Sequence, residues 1–492
     1  MTRILLLNPN KWGRGITSIW IPSHTAVLRN KNHQVKLFDS SFYKNWTDDE
    51  LSYNTDNSQY MPTDYSKYVE FTKEDVTIDL QKLIDEYEPE IIFWSALSSH
   101  INGEGEYVNI QYGHELIQKI KTNAIMIAGG LQPTAEPREV FDRFPKVDYF
   151  IGGESEFVLA DFVSEYNNNQ DYKDVKGLIR KQGNEIIINT KQELISKLDD
   201  IPPYDYSVFD KAVFFRAYNG QVLKAVDYEL SRGCVYACSY CVETTIQNYY
   251  GFSETTKSGV LKNANQYLRH KSARRIFNEI KNIHEKFAIE LFRCQDTNFL
   301  TIDQKTLLDL SDLIDEAELP IKLYIETRPE GVNDNSVKLL KKLRVDGVGM
   351  GIEVSSEVFR KDTLNRHPTQ EKIVDAFRIL KENNIKRTAY NIIGLPNETE
   401  EMILDTIKFN SVLKPDNITI AFYSPYIGTD LEKKSKEMGI FNEYDFGVDS
   451  QLRTVSVSKI EQRLLEFYKK NFNKFVRDGL DDLDNLKKIE LG

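Results

Sequence analysis

Ser231-Arg232-Gly233-Cys234-Val235-Tyr236-Ala237-Cys238-Ser239-Tyr240-Cys241 packs three of the chain's four cysteines into eight residues. The fourth, Cys294, stands in an apolar run, where a lone cysteine serves most simply as a small buried hydrophobe. Four cysteines in 492 residues make no disulfide framework. Three chemistries compete for the C-x3-C-x2-C spacing. Structural zinc wants four ligands, commonly on paired C-x2-C arms, and no second arm exists in a chain with seven His. A redox pair would use Cys238 and Cys241 and leave Cys234 without a purpose. A cubane iron–sulfur cluster takes thiolates from a compact loop, and three of them leave one iron open to another ligand. The spacing favours the cluster.

Downstream and upstream of this loop the hydrophobic pattern is that of an α/β protein. Apolar runs at 226–231, 290–296, 321–327, 347–353, 387–394 and 417–424 alternate with amphipathic stretches at 272–287, 305–317, 335–343, 370–383 and 398–413. Six such β–α units predict a parallel sheet curved into a partial (β/α)6 TIM-type barrel, with the cysteine loop on its carboxyl edge after the first strand. In the N-terminal third, runs at 3–9, 34–39, 91–96, 124–130 and 148–153 predict a doubly wound, Rossmann-like parallel sheet. No G-x-G-x-x-G follows its first strand, so a dinucleotide is poorly supported. The expected division is 1–168 for this domain, 169–222 for a linker, 223–430 for the barrel, and 431–492 for a mostly helical region capping the barrel mouth. The stretch 45–74, rich in Tyr, Asp, Asn and Ser, reads as a long loop acting as a lid or partner surface.

Composition narrows the function classes. Hydrophobic residues at 40% and charged residues at 28% exclude wholesale disorder. A net charge of -12 without a dense basic run argues against nucleic-acid binding. No stretch approaches the roughly 20 apolar residues of a membrane span, and the apolar start at Ile4–Leu7 is too short for a signal segment. A cytoplasmic protein is expected.

The motif C-x3-C-x-aromatic-C, with Tyr240 as the aromatic, resembles that of the radical S-adenosylmethionine (SAM) superfamily. The N-terminal third resembles the cobalamin-binding domain that precedes the radical domain in one large subgroup of that family. Gly152-Gly153-Glu154-Ser155-Glu156 and the stretch 267–280 with Lys271-Ser272 strengthen the match. The resemblance implies a [4Fe-4S] cluster on Cys234, Cys238 and Cys241, with SAM on the open iron. It brings the cysteine-loop backbone near Tyr240 to the adenine, and Glu326, Glu353 and Arg366 to the ribose or the methionyl amino and carboxylate groups. Asp296 falls in a loop that usually carries two acids, with Gln295 in the first place. For cobalamin, Ser95-Ala96-Leu97 fits S-x-L and Gly129-Gly130 fits G-G. The family's D-x-H-x-x-G loop appears as Asn8-Pro9-Asn10-Lys11-Trp12-Gly13. Asn8, Asn10, Gly13, Ser95, Leu97, Gly129 and Gly130 are thus the implied cobalamin contacts. Asn10 stands where histidine would ligate cobalt, and an amide is the poorer ligand, so a cobalt with no lower protein ligand, or only water, is implied. His100 is a second candidate for that lower face.

The function implied is a cobalamin-dependent radical SAM methyltransferase, moving a methyl group from SAM via methylcobalamin to an unactivated carbon of a small-molecule substrate. The alternative keeps both cofactors but forms or contracts a ring, or carries out another oxidative rearrangement. A non-catalytic iron–sulfur carrier or zinc-stabilised binding protein would leave Glu353 and Arg366 without a purpose. An external one-electron donor such as flavodoxin is expected, since no second cluster is encoded. Substrate identity, general acid or base, and oligomeric state are not legible.

Overall fold

The computed structural model describes residues 1–10, 17–43, 67–96, 103–168, 171–440 and 457–492, and of 103–109 the backbone course only. Continuous apolar runs form five strands: β1 (Arg3–Asn8), β2 (Gln34–Asp39), β3 (Ile91–Trp94), β4 (Ile125–Ala128) and β5 (Tyr149–Ile151). They pair in parallel in the order β2-β1-β3-β4-β5. Leu5, Leu7, Ile92 and Trp94 bury one face, and Ile4, Leu6, Ile91 and Phe93 the other, so both faces need helices over them. Chain direction from β1 reverses between β2 and β3, which opens a crevice beyond the carboxyl ends of β1 and β3. Asn8, Ser95 and Gly129-Gly130 all stand on that rim.

Residues 169–222, expected as a linker, are built into both sheets. β6 (Leu178–Gln182) and β7 (Glu185–Ile188) add an antiparallel hairpin beside β5. β8 (Phe215–Tyr218) turns back on β9 (Gln221–Tyr228) at the edge of the second sheet. The turns are Gly183-Asn184 and Asn219-Gly220, with positive φ at Gly183, Asn219 and Gly220. Such two-residue pairs twist a hairpin in the sense its strands require. The charged positions Arg180 and Lys181 suit an edge strand facing water and interrupt the apolar run a sequence reading looks for.

β10 (Ser231–Arg232) pairs with β11 (Arg269–His270) as the antiparallel stem of the cysteine loop. β12 (Leu291–Cys294), β13 (Lys322–Thr327), β14 (Val345–Glu353), β15 (Lys386–Ile393) and β16 (Asn417–Phe422) follow, each but the last leading into a helix within the barrel layer. Together with β9 they form the six-stranded parallel half barrel. β14 shows how the interior is made. Val348, Met350 and Ile352 bury toward the helices, while Gly347, Gly349 and Gly351 take the alternate, inward positions. A Cβ on Gly349 would lie 2.6 Å from Tyr390 and 2.8 Å from the Tyr324 hydroxyl. The bare backbone leaves the space these phenols occupy.

The tail departs from the expected cap. Its helix Gln462–Asp478 lays Leu465, Phe467, Phe472 and Phe475 against Ile403, Ile407, Ile418 and Ile420, covering the outer face of β16. An apolar stripe at helical spacing belongs on an exposed strand edge rather than over a polar mouth. The mouth is approached instead by the helix Asp430–Glu437, whose Leu431 N–H donates to Ser239 O at 2.9 Å. Among the described residues no helix is long and apolar enough to cross a membrane.

Candidate cofactor sites

The cysteine loop is gripped from several sides. Asp296, at the end of β12, is fully buried, and its carboxylate accepts from Ser231 N–H at 2.6 Å, Ser231 Oγ at 2.5 Å and Leu230 N–H at 3.1 Å. Both its oxygens are turned onto the loop's stem, so here it positions the loop. Burial outweighs those donors and pushes its carboxyl up to about 7. Farther along, Ala237 N–H donates to Gly259 O at 2.9 Å, Ser239 Oγ donates to Thr363 O at 2.6 Å, and Asn365 Nδ2 donates to Ala237 O at 2.6 Å. Cys241 then caps the helix Val242–Tyr250.

None of the three loop cysteines is bonded to another. Burial, then the charges of Glu243 and Cys238, pushes the Cys234 thiol up to about 12. Burial and the same two neighbours raise Cys241. As bare thiolates they therefore oppose one another, which is the situation a cationic iron cluster relieves. Arg328, which the sequence reading missed, reaches the group: its Nη1 lies 3.5 Å from Cys238 Sγ, its guanidinium lies 3.6 Å from the centre of the Tyr236 ring, and Glu330 pairs with it at 2.5 Å. Its only sequence signal is the strand-end position in Thr327-Arg328-Pro329.

Three of the predicted contacts converge beside this loop. Tyr240 Oη donates to Glu353 at 2.8 Å, Arg366 Nη2 donates to Gly351 O at 2.5 Å, and Arg366 Nη1 stands 3.4 Å from Tyr240 Oη and 3.7 Å from Glu353. Glu353 closes β14 with φ of 62°, at a register shift against β15. A non-glycine residue held there is strained, and such strain is retained where the surroundings fix the residue's direction. Arg366 Nε is buried without a hydrogen-bond partner. Glu326 lies apart from this trio, on the barrel wall, where it accepts from Tyr390 Oη at 3.1 Å.

On the N-terminal rim, Asn8 Nδ2 donates to Asp39 at 3.0 Å and Asn10 Nδ2 to Ser41 Oγ at 2.9 Å. Burial pushes the Asp39 carboxyl up to about 6 despite donors from Ser41 and Asn8. Ser95, at φ of 57°, buries its hydroxyl without a partner, and so does Gln132 its Oε1. A Cβ on Gly129 would meet Ser95 O at 3.0 Å, and Gly130 holds φ of 106°, so both glycines keep this rim open. Gly13, Leu97 and His100 lie outside the described residues.

Residues 228–409 match the family model described as the Radical SAM superfamily. The half barrel is a radical SAM domain. Over 90% of the chain, the sequence is 23% identical to the anaerobic magnesium-protoporphyrin IX monomethyl ester cyclase of Cereibacter sphaeroides, of which the match covers 66%. It is 25% identical over 62% of the chain to the cobalamin-dependent radical SAM methyltransferase TokK of Streptomyces tokunonensis, of which 42% is covered. The chain thus spans just under two thirds of the cyclase and less than half of TokK. The solved structure of the radical SAM methyltransferase TsrM from Kitasatospora setae, with cobalamin and a [4Fe-4S] cluster bound, superposes with a TM-score of 0.63 at 17% identity. That match covers 89% of this chain and 75% of TsrM.

The radical SAM domain is fastened to the N-terminal lobe through charges buried just ahead of the cysteines. Arg232 pairs with Glu156 at 2.5 Å and Glu154 at 3.4 Å from the N-terminal lobe, and with Glu229 at 2.9 Å from its own. Burial alone would raise the Glu156 carboxyl, but Arg232 outweighs it and holds it at about 2. Arg269 on β11 adds a second pair with Glu154 at 2.9 Å. Around this core, Val242 and Ile246 of the post-cysteine helix pack in one cluster with Leu131, directly after Gly129-Gly130. Gly153, at φ of 74°, lets Tyr250 in so closely that a Cβ would stand 2.4 Å from its hydroxyl. The Gly152–Glu156 motif is therefore a lobe joint.

Proposed function

We propose that this chain is a cobalamin-dependent radical SAM methyltransferase, transferring a methyl group from SAM to an unactivated carbon of a small-molecule substrate. One observation carries the reading: the helix that leaves Cys241 packs on the residues following Gly129-Gly130, which sets the cysteine loop beside the open rim of the N-terminal sheet. Among the described residues no three His, Cys, Asp or Glu side chains are drawn together as a ready-made metal site. Support for a cluster comes instead from the loop order, the burial of the thiols and Arg328 beside them. For cobalamin, it comes from the partnerless Ser95 and Gln132 groups, which suit the amide fringe of a corrin, and from the glycines beside them.

When bound, the cluster supplies the electron that cleaves SAM, and cobalamin carries the methyl group. The chain's own residues do the holding. Cys234, Cys238 and Cys241 take three irons. Glu353 takes the methionyl amino group and Arg366 the carboxylate, for which a planar fork with a spare Nε is suited. Tyr240 lines the adenine side, and Glu326 and Tyr390 face the half-barrel interior where substrate would lie. Asn8, Asn10, Ser95, Gly129 and Gly130 edge the corrin, with Asn10 offering cobalt no imidazole. Held in fixed places by these residues, reactive groups would meet only their intended partner. The N-terminal domain, the barrel and the helical tail would divide these tasks, with 169–222 as a structural joint between the two sheets, in a cytoplasmic setting with a flavodoxin-type electron donor.

The test is anaerobic reconstitution followed by turnover with isotope-labelled SAM. S-adenosylhomocysteine and deoxyadenosine appearing together with a labelled-methyl mass shift support methyl transfer. The similarity to the cyclase across 90% of the chain favours ring formation as the second reading, and deoxyadenosine alone would select it. Cys238→Ala should abolish the brown chromophore, and full iron retention in that variant would defeat the ligand assignment.

A further inference from the structure

Among the described residues Arg293 is an arginine without a hydrogen-bond acceptor. On β12 the side chains of Phe292 and Cys294 bury toward the helix layer, so Leu291 and Arg293 take the interior of the half barrel. Its register partners are Asp227 on β9 and Tyr324 on β13. The guanidinium lies 5.8 Å from the centre of the Tyr324 ring, and the residue is half-buried. Its obvious counter-ion is already spent. Asp227 Oδ1 accepts from Gln295 Nε2 at 2.7 Å, and Oδ2 accepts from Thr17 N–H at 3.0 Å, Thr17 Oγ1 at 3.1 Å and Arg216 Nη1 at 3.0 Å. Burial alone would raise this carboxyl, but Arg216 and Arg293 hold it at about 2. Asp227 and Glu326 thus act on Arg293 through their charge, without a hydrogen bond or ion pair to it.

Among the described residues no carboxylate oxygen lies within 4.0 Å of Arg293, nor does any of its N–H groups find an acceptor. The other interior arginines differ. Arg232 is held by three carboxylates, and Arg360 donates to Val354 O, Ser355 O and Pro368 O. A half-buried guanidinium with no protein acceptor is left to water, and an anion entering the barrel can replace that water with charge-assisted hydrogen bonds. Thr17, which ties Asp227 down, belongs to the N-terminal lobe just past the Asn10 loop, so Arg293 stands on the wall where the two lobes meet.

The geometry points to Arg293 as the anchor for an oxyanion, a carboxylate or a phosphate, on the small-molecule substrate, held inside the half barrel between the two cofactor sites. The assignment rests on the functional reading above for the word substrate, and on the wall geometry for the anion. A planar fork with five donors matches either oxyanion through two parallel hydrogen bonds. The free Nη and Nε groups set the depth at which the anion stops, and Tyr324 and Tyr390 line the wall beyond it.

The experiment labels the reconstituted full-length protein with phenylglyoxal and maps the modified arginines by mass spectrometry. Arg293 should be labelled ahead of Arg232, Arg360 and Arg366. Millimolar inorganic phosphate or acetate should slow its labelling about fivefold, as a site filled to several times its dissociation constant would. The exposed Arg138 should show no such slowing. Protection by acetate alone selects a carboxylate, and by phosphate alone a phosphoryl group. Arg293 resisting the reagent in the native protein, or reacting equally fast with and without both anions, would overturn the proposal. Failure of the wild-type protein to cleave SAM would instead remove the enzyme reading and leave the labelling result to stand by itself.

Discussion

The chain contains two parallel sheets that make room for a ligand in opposite ways. In the N-terminal sheet β1, β3 and β4 are filled on both faces by Leu, Ile, Phe and Trp, so no space exists within the sheet. A ligand can lie only beyond the strand ends. In the half barrel the inward positions of β14 are Gly347, Gly349 and Gly351, and polar side chains from β12, β13 and β15 project into the vacated interior. The flat sheet thus offers a rim defined by loops, and the curved one an interior defined by strand register. The polar groups differ accordingly. Tyr240, Glu353 and Arg366 come already joined in the barrel, whereas Ser95 and Gln132 on the rim have buried polar atoms with nothing to bond.

The sharpest challenge to treating these as two separable units is Arg232→Met. It leaves Glu154, Glu156 and Glu229 buried with less than their counter-charge, and should cost about 3–5 kcal/mol in urea unfolding. A loss near zero would mean that the lobes are joined by something else. A second pair of residues is parallel rather than contrasting. At or just past a strand end each sheet holds an Asp whose carboxyl is raised by burial, Asp296 to about 7 and the half-buried Asp39 to about 6. Because the folded-state value exceeds the unfolded one, Asp296 binds a proton more tightly in the folded protein. Its contribution is full below about pH 4 and is lost as pH rises through 7. Asp296→Asn keeps the acceptor for Ser231 and Leu230 but cannot titrate. Relative to wild type it should gain about 3 kcal/mol in unfolding free energy between pH 4 and 8, measured by denaturant titration at each pH. Parallel pH profiles for the two proteins would refute the role.

Smaller effects separate register from rim. Gly351→Ala places a methyl 2.1 Å from Glu353 Oε1 and 2.9 Å from Arg366 Nη2. SAM affinity, read by equilibrium dialysis, should fall about tenfold, or roughly 1.4 kcal/mol, with hydroxocobalamin binding unchanged. Ser95→Ala should do the reverse, weakening hydroxocobalamin binding about threefold through one lost hydrogen bond while SAM binding is untouched. If either change affected both ligands equally, the division between a register-built and a loop-built site would fail.

The strands and most barrel helices were legible because their patterns are long and periodic, as with the glycine-spaced run 347–353. The loop cysteines were legible because covalent chemistry fixes their spacing. The hairpins at 178–188 and 215–228 were obscured by charge on edge strands, although Gly183-Asn184 and Asn219-Gly220 announce them. Glu353 could be named from its strand end and Arg366 from its place ahead of the next helix, both through the family resemblance, and the structure brings both to Tyr240. Asp296 was named too, but sequence cannot say which way a strand-end carboxylate turns, and this one turns onto Leu230 and Ser231. Arg328 and Arg293 were passed over because single arginines carry no pattern; only the space around them gives them meaning.

The placement of Arg232 bears on how such a gene can be cut and rejoined. Two of its three counter-ions are encoded nearly eighty codons upstream, beyond the hairpins that close both sheets. A recombination event that lifted out the cysteine-bearing half alone would carry a buried cation left with Glu229 as its one remaining counter-ion, two positions before Cys234. Exchange of ancestral parts should therefore favour crossovers that move both halves as one cassette, leaving novelty to the surface loops and the tail.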